Sequence, residues 1–566
     1  MAKYLLGLTL LANLIASPPA LTQDVQDTEN ADVVFVNGRI YTADAKDRVV
    51  AAMAVEGNRF LAVGSDTDVK RHIGPRTKIV DLGGRFVSPG LTDAHLHNEG
   101  GGPGVDLSAA RSLGELLTAV AEAVKKAPAG AIVVSNSDWH EAQLREQRVP
   151  TLAELDAIAP DTPVVLVRGG HSIYVNSATL RKFDITEDTP APPGGQISRD
   201  AANRLTGEII DTARDLVRLP PPPPLSEADL VRTQEKMNSY GVTAVRIPGI
   251  YKGDLNAAYR LMRRMADGGR LTLRYTVYLP GMNLQSGAEA RELVERWGVK
   301  PDEGDVWARI DGIKIMVDGG FEGGHLIEPY VEPYGKGGSY RGIETIAPDR
   351  FADIVTTLNG MGWRPAVHAA GDAAVAEVLK GFAAADALSP IRNKRWTIEH
   401  ASLTNAALTQ EMRRLGVQLS VQDHMYLAGP IVERYWGAAR ADRNTPVAAY
   451  LDAGLLVAGG TDAPVIPANP FWELYFFASR NTISGKSYGV SQRIASRTAL
   501  LRLVTINFAR MIGEEQNRGS IEPGKLADFA VLSDDFLTAD VERIRDMEAL
   551  ATYVDGRLVY RSPRYR

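Results

Sequence analysis

The chain has 566 residues, of which 45% are hydrophobic, enough for one large α/β barrel with attachments or for three or four domains of about 150 residues. Its 63 basic and 69 acidic side chains give a net charge of −6, which argues against a nucleic-acid-binding surface because phosphate binding needs clustered Lys and Arg in excess. There is no cysteine, so disulfides, thiolate nucleophiles and iron–sulfur clusters are excluded. Any metal must be bound by nitrogen and oxygen ligands, and nine histidines are present.

The first 22 residues have the pattern of a secretory signal peptide. Lys3 precedes an apolar run from Tyr4 to Ala16, which is followed by small residues and prolines. The run is shorter than the ~20 residues of a membrane span. We therefore expect a periplasmic or secreted protein without a stable membrane anchor. An uncleaved N-terminal anchor is the alternative.

Both ends of the remaining chain, residues 32–85 and 515–566, are typical of short strands joined by tight turns. The pairs Asn37-Gly38, Gly57-Asn58 and Asp555-Gly556 lie between apolar stretches and indicate hairpins. We predict that the two ends pair into one small β-sandwich.

Between residues 86 and 514, apolar strands alternate with helical segments, which is the pattern of a parallel α/β sheet. The predicted strands are 85–97, 242–247, 271–279, 308–318, 364–369, 395–400, 417–424 and 455–462. Eight strands with intervening helices predict a (β/α)8 barrel of the TIM type.

A stretch from about residue 100 to residue 239 is too long for one strand-to-strand crossover. It has its own helix start, with Ser112 and Glu115 at capping-box spacing, its own apolar strand, PVVLVRGG, and a proline run, 220–224. We interpret it as an insertion subdomain over the barrel mouth, with the prolines as a semi-rigid strap.

Five histidines lie at or just after the C-terminal ends of predicted barrel strands. His95 and His97 end the first strand, and because they are two residues apart both side chains point to the same face. Later strands end at His368, His400, His424 and Asp462. Since catalytic residues of this fold lie at that end of the barrel, the pattern predicts a metal site with imidazole and carboxylate ligands.

These residues also resemble a family. PGLTDAHLH, HAAGDAAV, Glu399-His400, GTDAPV and the closing GKLADFAVLS are similar to motifs of the metal-dependent amidohydrolase superfamily. With RGGHSIYVNSATL and PPGGQISRD in the insertion, the chain resembles the branch that contains N-substituted formamide deformylases. The resemblance extends over nearly the whole chain after residue 30.

The resemblance implies one or two divalent ions per chain, of the zinc type. His95 and His97 would bind one ion with Asp462 nearby, and His368 and His400 would bind the second. Lys314, carboxylated, would bridge the ions, since a carbamate turns a cationic side chain into an oxygen donor. The alternative is an unmodified Lys314 that pairs with Asp318 or Asp311.

The resemblance also suggests residues that meet the substrate. His171, at the mouth, would help catalysis by polarising a carbonyl, although a structural role is the alternative. His424, Asp318 and Trp139 would contact substrate, with simple packing as the alternative for Trp139. Relatives tend to have proline where this chain has Asp423, which is expected to add a charge near the site.

The predicted reaction is hydrolysis of an amide, formamide or cyclic amide C–N bond of a small molecule by metal-activated water, with Asp462 as general base and then general acid. Two alternatives remain open. The same site could hydrolyse carboxyl esters or lactones, or the chain could be an exported protein that binds a metal or ligand without catalysis. No nucleic-acid partner is expected, and a homo-oligomer is left open.

Overall fold

The fold is given by a computed structural model that describes residues 30–102, 104–219, 224–331 and 338–565. The predicted signal peptide, 1–22, and most of the proline run lie outside the described residues. Within these ranges, no helix is both long and apolar enough to cross a membrane.

The centre of the molecule is a barrel of eight parallel strands. They are β1 (Leu91–Asp93), β2 (Val242–Pro248), β3 (Arg274–Pro280), β4 (Ala308–Met316), β5 (Pro365–Ala369), β6 (Thr397–His400), β7 (Gln418–Val421) and β8 (Val457–Gly459). Each strand is hydrogen-bonded to the next along the chain, and Ala94 N–H donates to Gly459 O at 2.9 Å, which brings the last strand to the first. The predicted α/β barrel is confirmed.

Helices cover the outside of the barrel. The longer ones are Glu227–Ser239, Leu255–Asp267, Gly287–Trp297, Pro348–Gly360, Asp372–Leu388, Ala406–Leu415, His424–Trp436 and Pro470–Ser479. The shorter ones are Ala438–Ala441, Val447–Asp452, Arg497–Leu503 and Ile506–Met511. In the helix Asp372–Leu388, Val375, Val378, Leu379 and Phe382 are buried, as their helical spacing predicts.

The predicted first barrel strand, 85–97, is wrong as a single element, because the chain divides it at Gly90. Phe86–Pro89 belongs to a sheet outside the barrel, and only Leu91–Asp93 joins the barrel. A Cβ on Gly90 would lie 2.2 Å from the Thr243 hydroxyl oxygen, so the chain passes β2 too closely for any larger residue.

The two ends of the chain form a small β domain of two sheets. The first contains Val33–Val36, Ala52–Glu56, Arg59–Gly64 and Lys78–Asp81, with the helix Asp66–Lys70 beside it. The second contains Arg39–Tyr41, Val49–Val50, Phe86–Pro89, Phe529–Leu532, Ala549–Val554 and Arg557–Arg561. Phe529–Leu532 pairs antiparallel with Phe86–Pro89, so residues from both ends share one sheet.

Aromatic side chains fill the space between these two sheets. Phe529 stacks on Tyr553 with ring centroids 4.4 Å apart, and Phe35 meets Phe529 edge-on at 5.0 Å. Gly57-Asn58 and Asp555-Gly556 connect hairpin strands, as predicted. Asn37-Gly38 does not, because Val33–Val36 and Arg39–Tyr41 lie in different sheets, and this turn passes the chain from one sheet to the other.

The insertion carries a five-stranded sheet over the barrel mouth. Its strands, in spatial order, are Gly195–Arg199, Leu205–Asp211, Ser172–Val175, Val164–Arg168 and Val133–Val134, and its helices are Leu113–Lys126, Leu152–Ile158 and Ser177–Lys182. Ser112 caps the first helix by accepting from Glu115 N–H at 3.2 Å, as the capping-box spacing predicts. The helix Glu227–Ser239, within the predicted insertion bounds, packs on the barrel core through Leu230 and Met237.

Candidate active site

The carboxyl ends of β1 and β8 bring His95, His97 and Asp462 together. The Nε2 atoms of His95 and His97 lie 3.4 and 3.1 Å from Asp462 Oδ1. Backbone contacts hold them there, since Asp462 N–H donates to His95 O at 2.6 Å. Asp93 adds a second tie by accepting from His95 N–H at 2.9 Å and from Thr461 N–H at 3.1 Å.

A second group of ligand atoms shares Asp462. The Nε2 of His424 lies 3.0 Å from Asp462 Oδ2, and His400 offers a nitrogen within 4.8 Å of both. The ring of His368 is 4.5 Å from that of His400, but its Nε2 lies 3.1 Å from Gly319 O. The six side chains predicted at strand ends therefore meet at one end of the barrel, and His424 lies nearest to Asp462 Oδ2. They are His95, His97, His368, His400, His424 and Asp462.

Two predicted strand ends differ from the structure. The seventh strand stops at Val421, so His424 is the first residue of a helix. The eighth stops at Gly459, and Asp462 follows in a loop with φ of 59°. Both side chains still reach the site because these segments leave the barrel at the same end.

The protonation states suit a cation. Burial lowers the pKa of His95 to about 4 and the pKa values of His368 and His400 well below the usual range, so these rings are neutral near pH 7. Despite its burial, Asp462 has a pKa well below the usual range because of its contacts with His95, His424 and His97. Within the described residues its buried Oδ1 has no hydrogen-bond partner. An orphaned carboxylate oxygen among neutral imidazole nitrogens fits a divalent ion.

A buried ion pair orients His95. Glu399 Oε2 lies 2.8 Å from His95 Nδ1, its other oxygen pairs with Arg246, and Arg246 donates to Ala94 O at 2.8 Å. His400 and His97 are held in the same way, through Nδ1 to Gln422 Oε1 at 2.6 Å and to Ile250 O at 3.0 Å. Each contact leaves the Nε2 atom directed into the site.

Lys314 lies within β4, with its Nζ 3.5 Å from His95 Nε2. Burial lowers its pKa to about 8, so a fraction of its side chain is the neutral amine that carbamate formation requires. The two carboxylates considered as its partners are engaged elsewhere. Asp311 pairs with Arg364 at 3.2 Å, and Asp318 accepts from the backbone N–H groups of Ala370 and Gly371.

The insertion supplies His171 to the barrel mouth. Its Nδ1 lies 2.5 Å from Asp211 Oδ1, and its ring centroid is 5.4 Å from that of His368. Burial opposes its protonation, but the charge of Asp211 and this hydrogen bond raise the pKa of His171 above its usual value. Asp211 lies at the end of its strand with φ of 50°, a conformation that L residues rarely adopt, and so directs its carboxylate at this ring.

Two cavities meet at these residues. The first, of about 580 Å³ including space open to solvent, is called the Phe321 cavity. It is lined by Phe321, Leu427 and Ile466, with His424 at the site and Arg168 with Glu322 also in its wall. The second, of about 1370 Å³ including space open to solvent, is called the Arg214 cavity and contains Arg214, Asn98 and Asn283 beside His95, His97 and Lys314. Both cavities are lined by Gly169, Gly170, His171, His368, His400, Asp462 and Val465.

Comparison with known proteins agrees with this geometry. The sequence profile described as "Amidohydrolase family" matches residues 78–560. The chain belongs to the amidohydrolase family. It is 28% identical to the N-substituted formamide deformylase of Arthrobacter pascens over 549 residues, which cover 94% of this chain and 99% of that protein.

Solved structures show the same fold. An uncharacterized metal-dependent hydrolase from Pyrococcus horikoshii OT3 has a TM-score of 0.65 at 24% identity and covers 90% of this chain and 99% of its own. One from Pyrococcus furiosus has a TM-score of 0.63 at 25% identity, covering 89% and 100%. The predicted resemblance, and the prediction that the chain is a metal-dependent amidohydrolase, are confirmed.

Two residues predicted to contact substrate, Trp139 and Asp318, do not line either cavity of this amidohydrolase. Trp139 is fully buried in the insertion core and donates from Nε1 to Val167 O at 2.7 Å, so the packing alternative describes its position. Asp318 connects the loops after β4 and β5, because it accepts from His325 N–H as well as from the loop after β5, and its Oδ1 lies 3.5 Å from His368 Nε2. Burial raises the pKa of Asp318 to about 7.

Asp423, where a charge near the site was expected, is fully buried. Burial, together with the nearby Asp93, raises the pKa of Asp423 well above its usual range and so disfavours that charge. His325 forms a separate, partly exposed group with Glu344 and Glu377, none of which lines either cavity.

Several site residues of this amidohydrolase were missed by sequence reasoning. Glu399 was noticed only as part of a motif with His400, although its place on a barrel strand beside a ligand indicated a role. Arg168, Glu322 and Arg214 gave no signal, because charged residues in an insertion or a loop are usually solvated.

Proposed function

We propose that this amidohydrolase hydrolyses the C–N bond of a small non-peptide amide, formamide or cyclic amide. The observation that carries the proposal is the position of Asp462. One of its oxygens faces His95 and His97, the other faces His424, and the residue lines both cavities. A carboxylate so placed can serve metal binding and proton transfer at the junction where a substrate bond would lie.

We propose a site for one or two divalent ions, with zinc as the metal. His95, His97 and Asp462 would hold one ion. His400, with His424 or His368, would hold the second, and a carboxylated Lys314 would bridge them. A divalent ion bound there supplies Lewis acidity, which lowers the pKa of water towards ~7 and polarises a carbonyl.

The chain's own residues would carry the proton transfers and the orientation. Asp462, ionised because its pKa is low, accepts a proton at a carboxylate oxygen and returns it to the departing nitrogen. His171, held through Nδ1 by Asp211, presents its other ring nitrogen to the site and donates a hydrogen bond to the carbonyl oxygen of the substrate. Phe321, Leu427 and Ile466 place apolar surface beside this junction.

The test is the Asp462→Asn variant assayed on N-acyl, formyl and cyclic amides beside carboxyl esters and lactones. We expect about 10²- to 10⁴-fold lower kcat on the amide substrate, because a general acid–base group is removed. Elemental analysis of the same protein should still find metal bound by the remaining ligands. A fully active variant would refute the role of Asp462. Turnover of esters or lactones alone by the wild-type enzyme would favour the esterase alternative.

We also propose that residues 1–22 direct export and that the mature enzyme is periplasmic or secreted. The support is the charge and apolar pattern of this segment. Fractionation of producing cells, followed by N-terminal sequencing of the enzyme, tests it. Intact chain in the cytoplasmic fraction would contradict the proposal.

A further inference from the structure

We propose that the substrate carries a carboxylate that binds Arg214, while an apolar group on the other side of its amide occupies the Phe321 cavity. This inference rests on the proposed function, since it names the substrate class of the same site. It assigns specificity to Arg214, a residue of the insertion.

The two cavities divide the substrate at its reacting bond. They share His171 and Asp462, which are proposed to act on the amide, and His368 and His400, which are proposed to hold an ion. An amide placed at this junction has one substituent directed into each cavity. The two substituents therefore meet different chemical surroundings.

The Phe321 cavity suits an uncharged, apolar group. Phe321, Leu427, Val465 and Ile466 line it. Its arginine, Arg168, is already neutralised, because it pairs with Glu322, lies 3.3 Å from Glu141, and donates to Tyr174 at 2.9 Å. An anion entering this cavity would find its arginine already paired.

The Arg214 cavity differs because its arginine lacks an ion pair. Arg214 donates from Nε to the backbone oxygen of Asp211 at 3.2 Å, and no carboxylate of the described residues lies within 4.0 Å of its guanidinium. The Asp211 carboxylate is directed at His171 instead. Burial lowers the pKa of Arg214, and Asp211 and Asp215 offset this only in part.

A partly buried guanidinium that forms no close ion pair is a binding site for a planar anion. Arg binds carboxylates through two parallel hydrogen bonds, and such charged bonds are stronger than neutral ones. An amide of an amino acid, or an amide of a short dicarboxylic acid, has a carboxylate a few bonds from the reacting carbon.

The probes are two matched pairs that differ only in one charge. In the first pair, phenylacetylglycine has its carboxylate on the amine side of the reacting bond, and phenylacetylglycinamide has a neutral amide there. In the second pair, N-benzylsuccinamic acid has its carboxylate on the acyl side, and N-benzylsuccinamide has a neutral amide there. Release of phenylacetate or benzylamine by the metal-loaded enzyme gives kcat and KM, and the better pair shows which side faces Arg214.

We expect the wild-type enzyme to prefer the acid of one pair. Arg214→Met should lower kcat/KM on that acid about 10- to 100-fold, mainly through KM, because a charge-assisted hydrogen bond is lost. Activity on the neutral partner should change less than about threefold. Arg214→Lys should restore part of the preference. Arg218→Met, at an exposed arginine four residues away, is the matched control and should behave as wild type.

Equal losses on acid and neutral partner in Arg214→Met, or a wild-type enzyme without preference, would overturn the proposal. If no amide is hydrolysed at all, the proposed function fails, but the binding claim is still measured by titration calorimetry of the same four compounds. If the wild-type enzyme binds the acid more tightly than the neutral partner, and Arg214→Met loses this preference, the anion site alone would be supported. Equal binding of acid and neutral partner would overturn it.

Discussion

In three histidines, the contact made by one ring nitrogen determines that the other ring nitrogen faces the proposed metal site. His95, His97 and His400 each use Nδ1 for a partner outside the site, namely Glu399, the oxygen of Ile250 and Gln422. These partners come from other strands and loops. The sequence therefore predicted which histidines meet, from their places at strand ends, but it could not predict what orients them, because that depends on neighbours across the barrel.

Glu399→Gln tests this orientation. The amide cannot balance the charge of buried Arg246, and its contact with His95 Nδ1 is weakened, so metal affinity should fall about 10- to 100-fold. Competition with a chromophoric chelator measures the affinity. Glu377→Gln, a partly exposed glutamate in the separate group with His325, is the control and should retain wild-type affinity. Unchanged affinity in Glu399→Gln would contradict the orienting role.

At the scale of elements, the barrel strands were predictable because apolar runs and helical periods alternate so regularly between residues 242 and 462. The prediction was wrong at the first strand, because one apolar run forms strands in two different sheets. Gly90 marks the division, but its reason is the approach of Thr243 from another strand. Similarly, Asn37-Gly38 has the residues of a hairpin turn, and only the packing of two sheets shows that the chain changes sheet there.

A substitution at Gly90 should therefore be costly. Gly90→Ala places a Cβ 2.2 Å from the Thr243 hydroxyl, and we expect a loss of about 1–3 kcal/mol in the free energy of unfolding. Urea unfolding measures it. Thr243→Ala removes the nearest atoms, so the double variant should lose less than the sum of the two single variants. Simple additivity would show that the close approach is not the cause.

At the scale of the whole molecule, the small β domain is connected to the barrel by buried charge. Arg274 on β3 binds Asp528 through two hydrogen bonds of 2.7 and 2.9 Å and also contacts Asp555 near the chain end. A β-sandwich from both ends was predicted from the turn pairs. The contacts of Arg274 with Asp528 and Asp555, here called the clamp, were not predicted, because sequence does not show which arginine faces which aspartate.

This clamp predicts acid sensitivity. Despite burial, the charge of Arg274 lowers the pKa of Asp528 below its usual value. Its contribution is therefore present above about pH 3.9 and is lost as pH falls through the lowered pKa. Asp528→Asn should cost about 3 kcal/mol at pH 7 and show a smaller further loss below pH 3.9 than wild type. Urea unfolding across pH 3–7 measures both, and an equal acid loss in the variant would refute the assignment.

Metal removal should also reveal a property of the whole molecule. A ligand that binds only the folded state stabilises it, by about 2.7 kcal/mol at 100 times the Kd. Chelation should lower the Tm of the wild-type enzyme and leave that of the His95→Ala, His97→Ala double variant nearly unchanged. A Tm that is insensitive to chelation in both proteins would contradict a metal held by these residues.

The pairing of Phe529–Leu532 with Phe86–Pro89 has a consequence for how the enzyme matures. The strand that leads into His95 and His97 lacks one of its two neighbours until residues 529–532 have been synthesised, although every proposed ligand precedes them. We therefore expect a ribosome-released fragment ending near residue 515 to contain all the chemistry of the enzyme and still be unable to load its ion.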